Sequence, residues 1–125
     1  MRFRFLFLLI GLTAILLGAC SGTNDTQITP AADKLTFLFF YTEGWVPWTN
    51  MEPVVNGLEE EFEADVEFRW IDAISTDGQK IFRSFSLRGH PSYVILNPEA
   101  DVLWLGFGEQ SRDIFIEQIR LALGE

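Results

Sequence analysis

The chain has one cysteine, Cys20, and one histidine, His90, in 125 residues. A lone cysteine excludes any disulfide within the chain and any Cys-x-x-Cys redox pair. One histidine with no cysteine near it cannot supply the usual ligand set of a zinc, copper or iron site. No glycine-rich phosphate loop, nucleotide fingerprint or Ser-His-Asp order is present. No internal repeat is visible. The carboxylates are plentiful, yet no pair stands out as an acid/base couple, and the run Glu59-Glu60-Glu61 reads as a solvated face. Basic residues are scarce, 9 against 18 acidic ones, so nucleic acid is not an expected partner. No cofactor, metal or catalytic residue is expected.

The chain opens with a basic start, Met1-Arg2-Phe3-Arg4, and then an apolar run from Phe5 to Leu17. That run is shorter than the roughly 20 apolar residues a membrane-spanning helix needs. It ends in Leu17-Gly18-Ala19-Cys20-Ser21, which resembles the lipobox of bacterial lipoproteins. The resemblance implies cleavage before Cys20 and lipidation of its thiol, so 1–19 is expected to be a signal peptide. It places the protein outside the cytoplasm, lipid-anchored to a bacterial membrane and facing the periplasm or the cell exterior. Loss of Arg2 and Arg4 leaves seven basic and 18 acidic residues, a net charge of −11. Such a charge gives no electrostatic hold on an anionic bilayer, so the lipid on Cys20 has to supply the attachment. Residues 20–33, small and polar with Pro30, read as the lipidated cysteine and a tether.

The domain is expected over 34–124, around one stretch. Leu35 to Tyr41 is almost continuously apolar, the pattern of a strand covered on both faces. It runs into Trp45-Val46-Pro47-Trp48 and then into a helix. Thr49-x-x-Glu52 has capping-box spacing, and Met51, Val54, Val55, Leu58 and Phe62 recur at helical spacing. Val66 to Asp72 is a second strand with Val66, Phe68 and Trp70 on one face. A connection this long implies a parallel crossover. Asp77 to Leu87 is a shorter helix with Ile81, Phe82 and Phe85 inward. Ser92 to Leu96 and Val102 to Gly106 form a hairpin across Asn97-Pro98-Glu99-Ala100-Asp101. Ser111 is a candidate N-cap for a last helix with Phe115, Ile119 and Leu123 on one face and Gly124 at its end. The fold class is α/β, in the order βαβ–α–ββα: a small mixed sheet with helices on both faces.

The aromatic strand, the Trp45-Val46-Pro47-Trp48 turn and Arg88-Gly89-His90-Pro91-Ser92, in this element order, resemble the thioredoxin family. That family carries Cys-Gly-Pro-Cys at the first junction and a cis-proline loop opposite it. Asp72 ends the second strand as the family's aspartate does, and Gly108 and Ser111 match the approach to its last helix. The resemblance spans Lys34 to Gly124 and lacks the family's extra N-terminal strand and helix. In its register Trp45 and Trp48 occupy the two cysteine positions with Pro47 kept between them, and Phe39 occupies the position of a buried aspartate. Indole offers neither an attacking thiolate nor a resolving sulfur, so disulfide reductase activity is not expected. The resemblance also implies a cis His90-Pro91 bond and a groove rimmed by Trp45, Pro47, Trp48, His90 and Pro91. There the backbone of His90 would pair with an extended partner.

The leading expectation is therefore a membrane-anchored, redox-inactive module binding a protein or peptide at the cell envelope. Two others stand beside it: an envelope thiol–disulfide protein using Cys20 or a partner's thiols, and a structural domain with no discrete site.

Overall fold

The computed structural model describes residues 28–125. The signal peptide expected over 1–19, Cys20 and the first part of the tether lie outside the described residues. Seven elements follow one another: β1 (Leu35–Tyr41), α1 (Val46–Phe62), β2 (Val66–Asp72), α2 (Thr76–Ser84), β3 (Ser92–Leu96), β4 (Val102–Phe107) and α3 (Arg112–Leu123). The four strands form one mixed sheet in the order β2-β1-β3-β4. β1 runs parallel to β2 and antiparallel to β3, which runs antiparallel to β4.

The position of β1 follows from its composition. Alternate residues of a strand face opposite sides of the sheet, and in β1 both sets are apolar or small. Leu35, Phe37 and Phe39 join Met51, Val55, Leu58 and Phe62 of α1 and Phe115 and Ile119 of α3 in one core. Leu38 and Phe40 join Val94 and Leu96 in a second core, against which Ile81, Phe82 and Phe85 pack from α2 and the residue after it. Helices thus cover both faces. Each fully buried phenylalanine contributes about 1.5–3 kcal/mol, and β1 alone holds Phe37, Phe39 and Phe40 without solvent exposure.

Several local expectations change. Helix α1 begins at Val46, not at the Thr49 capping box. Pro47, near the start of the helix, carries a φ already suited to its first turn, and the Thr49 hydroxyl instead donates back to the Trp45 carbonyl at 3.4 Å. Trp45 is the N-cap and makes no side-chain capping bond. Helix α2 starts at Thr76, where the Ser75 hydroxyl accepts from the Gly78 N–H at 2.9 Å. It ends at Ser84 rather than Leu87, because the chain turns through Ser86 with φ of 56°, outside helical space. Ser111 caps α3 by backbone geometry only, without a side-chain bond. Residues 28–33, assigned to the tether, lie against the domain from their first residue. Ile28 packs on the second core, Ala31 is buried, and its N–H donates to Thr36 Oγ1 at 2.8 Å. Arg69 Nη1 donates to the Thr29 carbonyl at 2.6 Å.

Candidate functional site

The register of β1 against β3 assembles the site. Phe40 lies opposite Ser92, so the chain leaving β1 through Tyr41, Gly44 and Trp45 passes beside the His90-Pro91 loop that leads into β3. Gly44, at φ of 79°, makes the turn a side chain would resist. The His90-Pro91 peptide bond is cis. Pro91 is buried, and its carbonyl accepts from the Gly108 N–H at 2.9 Å. The Tyr93 hydroxyl in turn donates to the Gly108 carbonyl at 3.0 Å. The loop between β4 and α3 is thereby fixed to the start of β3.

The two tryptophans separate. Trp45 remains 49% exposed, its indole meeting the His90 ring at 4.9 Å between centroids and 67° between planes. His90 also lies edge-on to Phe82 at 6.3 Å. Trp48 points the other way and packs on the α1–α3 core, stacked on Tyr41 at 5.7 Å and 28°. Tyr41 adjoins Phe39 and Trp70, and Phe39 stacks on Tyr93 at 5.4 Å and 7°. An unbroken aromatic train therefore runs from the start of α1 into the core. Trp48 Nε1 and Thr42 Oγ1 are both buried without a hydrogen-bond partner, an arrangement that costs stability at each atom.

Of the residues expected to rim a groove, Trp45 and His90 are in contact, and Pro47 and Trp48 are half-buried. Trp48 belongs to the packing and Pro91 to the floor. A groove of about 330 Å³ opens beside Arg88 and Ser92, which flank the His90-Pro91 loop, and is walled by Leu87, Leu105 and Phe107. These walls are absent from the sequence-derived set. Their signal was an uncharged strand, Val102 to Phe107, with more large apolar residues than a one-faced strand requires.

Acidity surrounds the junction. Tyr41 lies opposite Asp72 across the β1–β2 ladder. Desolvation first, then the charges of Asp72 and Glu43, raise its hydroxyl pKa above the usual tyrosine value. Burial, aided by Glu109, raises that of Tyr93 further still. Asp72 is engaged locally, its Oδ1 accepting from the Ile74 N–H at 3.0 Å. The described residues contain no cysteine, and no group of three or more His, Cys, Asp or Glu among them is arranged to hold a metal ion. The surface at Trp45 offers apolar and aromatic contact rather than a nucleophile.

No protein-family model and no curated protein matches this chain. Solved structures do. The germline-specific thioredoxin Deadhead of Drosophila melanogaster superposes with a TM-score of 0.63 at 22% identity, over 71% of this chain and 82% of that one. A chain from the structure of the thiol-resolving mechanism of yeast mitochondrial 1-Cys peroxiredoxin gives 0.61 at 17% identity, over 70% and 78%. The fold is thioredoxin-like. Identities this low carry the architecture and not the chemistry. Among the described residues, no helix of this thioredoxin-like domain is long and apolar enough to cross a membrane.

Proposed function

We propose that the protein is a membrane-anchored, redox-inactive thioredoxin-like module that binds an extended protein segment at the cell envelope. One observation carries the binding surface: Trp45 is held half-exposed against His90, beside a cis-proline loop, while Trp48, three residues on, is packed inward. A large indole fixed at its edge by a second ring presents apolar area at little entropic cost, which suits a binding anchor. Trp45 and Trp48 stand at the two positions where the thioredoxin pattern has its cysteines, and Phe39 at that of its buried aspartate, so the frame is kept without thiol chemistry. Attachment runs through a lipid on Cys20, which the lipobox-like Leu17-Gly18-Ala19-Cys20 supports.

The test is photo-crosslinking in intact membranes with a probe at Val46, comparing wild type with Trp45→Ala. Loss of specific adducts in the variant is expected; an unchanged adduct pattern overturns the Trp45 surface. Mass spectrometry of Cys20 from the membrane fraction tests the anchor independently. Insulin reduction measured with the native protein and with Cys20→Ser tests redox inactivity, and turnover in either would restore the oxidoreductase reading.

A further inference from the structure

The two edges of the sheet are unequally protected. An edge strand exposes unpaired backbone groups, and folded proteins usually guard it with charge or cover. β2 follows this rule: it carries Glu67 and Arg69, which form an ion pair, and Arg69 also holds the Thr29 carbonyl, laying the preceding chain against that edge. β4 does not. Its sequence, Val102 to Phe107, has no charge, and Val102, Leu103, Leu105 and Phe107 are all exposed.

The backbone of β4 is open in a defined place. The Gly108 N–H points inward to Pro91, and antiparallel ladders alternate inward and outward residues, so Leu105 and Phe107 turn their backbone groups away from β3. The Phe107 carbonyl takes the Gln110 side-chain amide at 2.6 Å. The register shift opposite Ile95 and Leu96 ends the regular edge near Leu103. A pairing surface centred on Leu105 remains. Next to it, on the α2 side of the sheet, lies the groove walled by Leu87, Leu105 and Phe107, suited to an apolar side chain projecting from an added strand.

We propose that the β4 edge accepts an extended segment of another protein, apolar in its middle and basic at its ends, as a fifth strand. Charge selects this occupant over a second copy. Exposed Glu99 and Asp101 precede the strand and exposed Glu109 follows it. Asp101 and Glu109 each accept one neutral amide, from Asn97 and Asn50, and their charge is paired with no cation among the described residues. Antiparallel self-pairing centred on Leu105 would bring the Glu99 and Asp101 end of each copy toward the Glu109 end of the other, like charges facing at both ends of the short edge. A segment with lysine or arginine at both ends meets these carboxylates instead. Arg88, at the groove beside Leu87, keeps cationic side chains out of the middle.

The groove adjoins the His90-Pro91 loop on which Trp45 rests, but the test reads the backbone of β4 and does not depend on Trp45 or on the anchor. The full-length protein in neutral detergent is mixed with an end-blocked peptide of alternating valine and threonine bearing two lysines at each end. Amide hydrogen exchange is then followed by mass spectrometry. Exchange over residues 103–107 is expected to slow at least about tenfold with this peptide, and not with its glutamate-ended counterpart. Leu105→Pro, tolerated on edge strands, and Leu105→Lys are each expected to abolish the slowing while exchange in β1 stays unchanged. No slowing with the lysine peptide, equal slowing with both peptides, or protection of β4 in the protein alone together with a dimeric mass would overturn the proposal.

Discussion

The Trp45 indole rests edge-on against the His90 imidazole at 4.9 Å, while Trp48, three residues later, stacks on Tyr41 at 5.7 Å inside the fold. A single turn of chain sends one indole to solvent and the other to the core. Substituting the two should therefore have opposite consequences. Trp45→Ala is expected to change stability by less than about 1 kcal/mol and to remove partner capture. Trp48→Ala is expected to cost about 3 kcal/mol. Urea unfolding of both variants, alongside crosslinking, separates the effects.

Tyr93 makes stability depend on alkaline pH. Its folded-state pKa lies above that of the unfolded chain, so the neutral hydroxyl is favoured by folding. Its contribution is complete below about pH 10, the unfolded value, and is lost as pH rises from there toward the folded pKa. Urea midpoints should fall between pH 9 and pH 11, with tyrosinate absorbance appearing together with unfolding. Tyr93→Phe should remove that share of the pH dependence and cost about 1 kcal/mol near neutrality, through the lost bond to Gly108.

Thr36 fastens the segment before β1. It is fully buried and accepts the Ala31 N–H. Thr36→Val keeps the shape but orphans that buried donor, so a loss of about 1–3 kcal/mol is expected. Amide exchange over residues 28–33 should accelerate more than exchange in β3. Equal acceleration everywhere would mean that the segment is not held there by this bond.

Gly78 sits in the first turn of α2, where an added methyl would run into the Asp72 backbone carbonyl and the Ser75 hydroxyl. Backbone cannot yield as a flexible side chain does. Gly78→Ala is expected to cost more than about 2 kcal/mol, whereas Gly57→Ala, with open space around it, should be neutral or stabilising in helix α1. Thermal melts of the pair test this.

If the thioredoxin frame persists around the indoles, thiols placed there should act on disulfides. Trp45→Cys with Trp48→Cys is expected to give insulin reduction at least about tenfold above wild type, since exchange requires an attacking and a resolving sulfur. Absence of activity in a folded double variant would mean that these positions do not stand where the cysteines of the pattern stand.

The order of elements was legible in the sequence because each declares itself locally. The unbroken apolar run of β1, the helical spacing of Met51, Val55, Leu58 and Phe62, and the Phe115 and Ile119 face of α3 reflect burial along a single element, and periodicity records burial. Element starts were less legible: Thr49 and Glu52 have capping spacing, yet Pro47 starts the helix earlier. The fate of the two tryptophans was beyond local reading, since either indole could pack or project. The β1–β3 register decided it by bringing His90 beside Trp45 and leaving Trp48 over Tyr41. Sheet order likewise made β4 an edge, turning an uncharged strand into an exposed one. The sequence alone determined that the junction at Trp45-Val46-Pro47-Trp48 has no sulfur. Only the tertiary structure decided which indole faces outward, because Trp45 meets His90 from a distant loop and Trp48 packs on a core that α3 helps to build, both far along the chain.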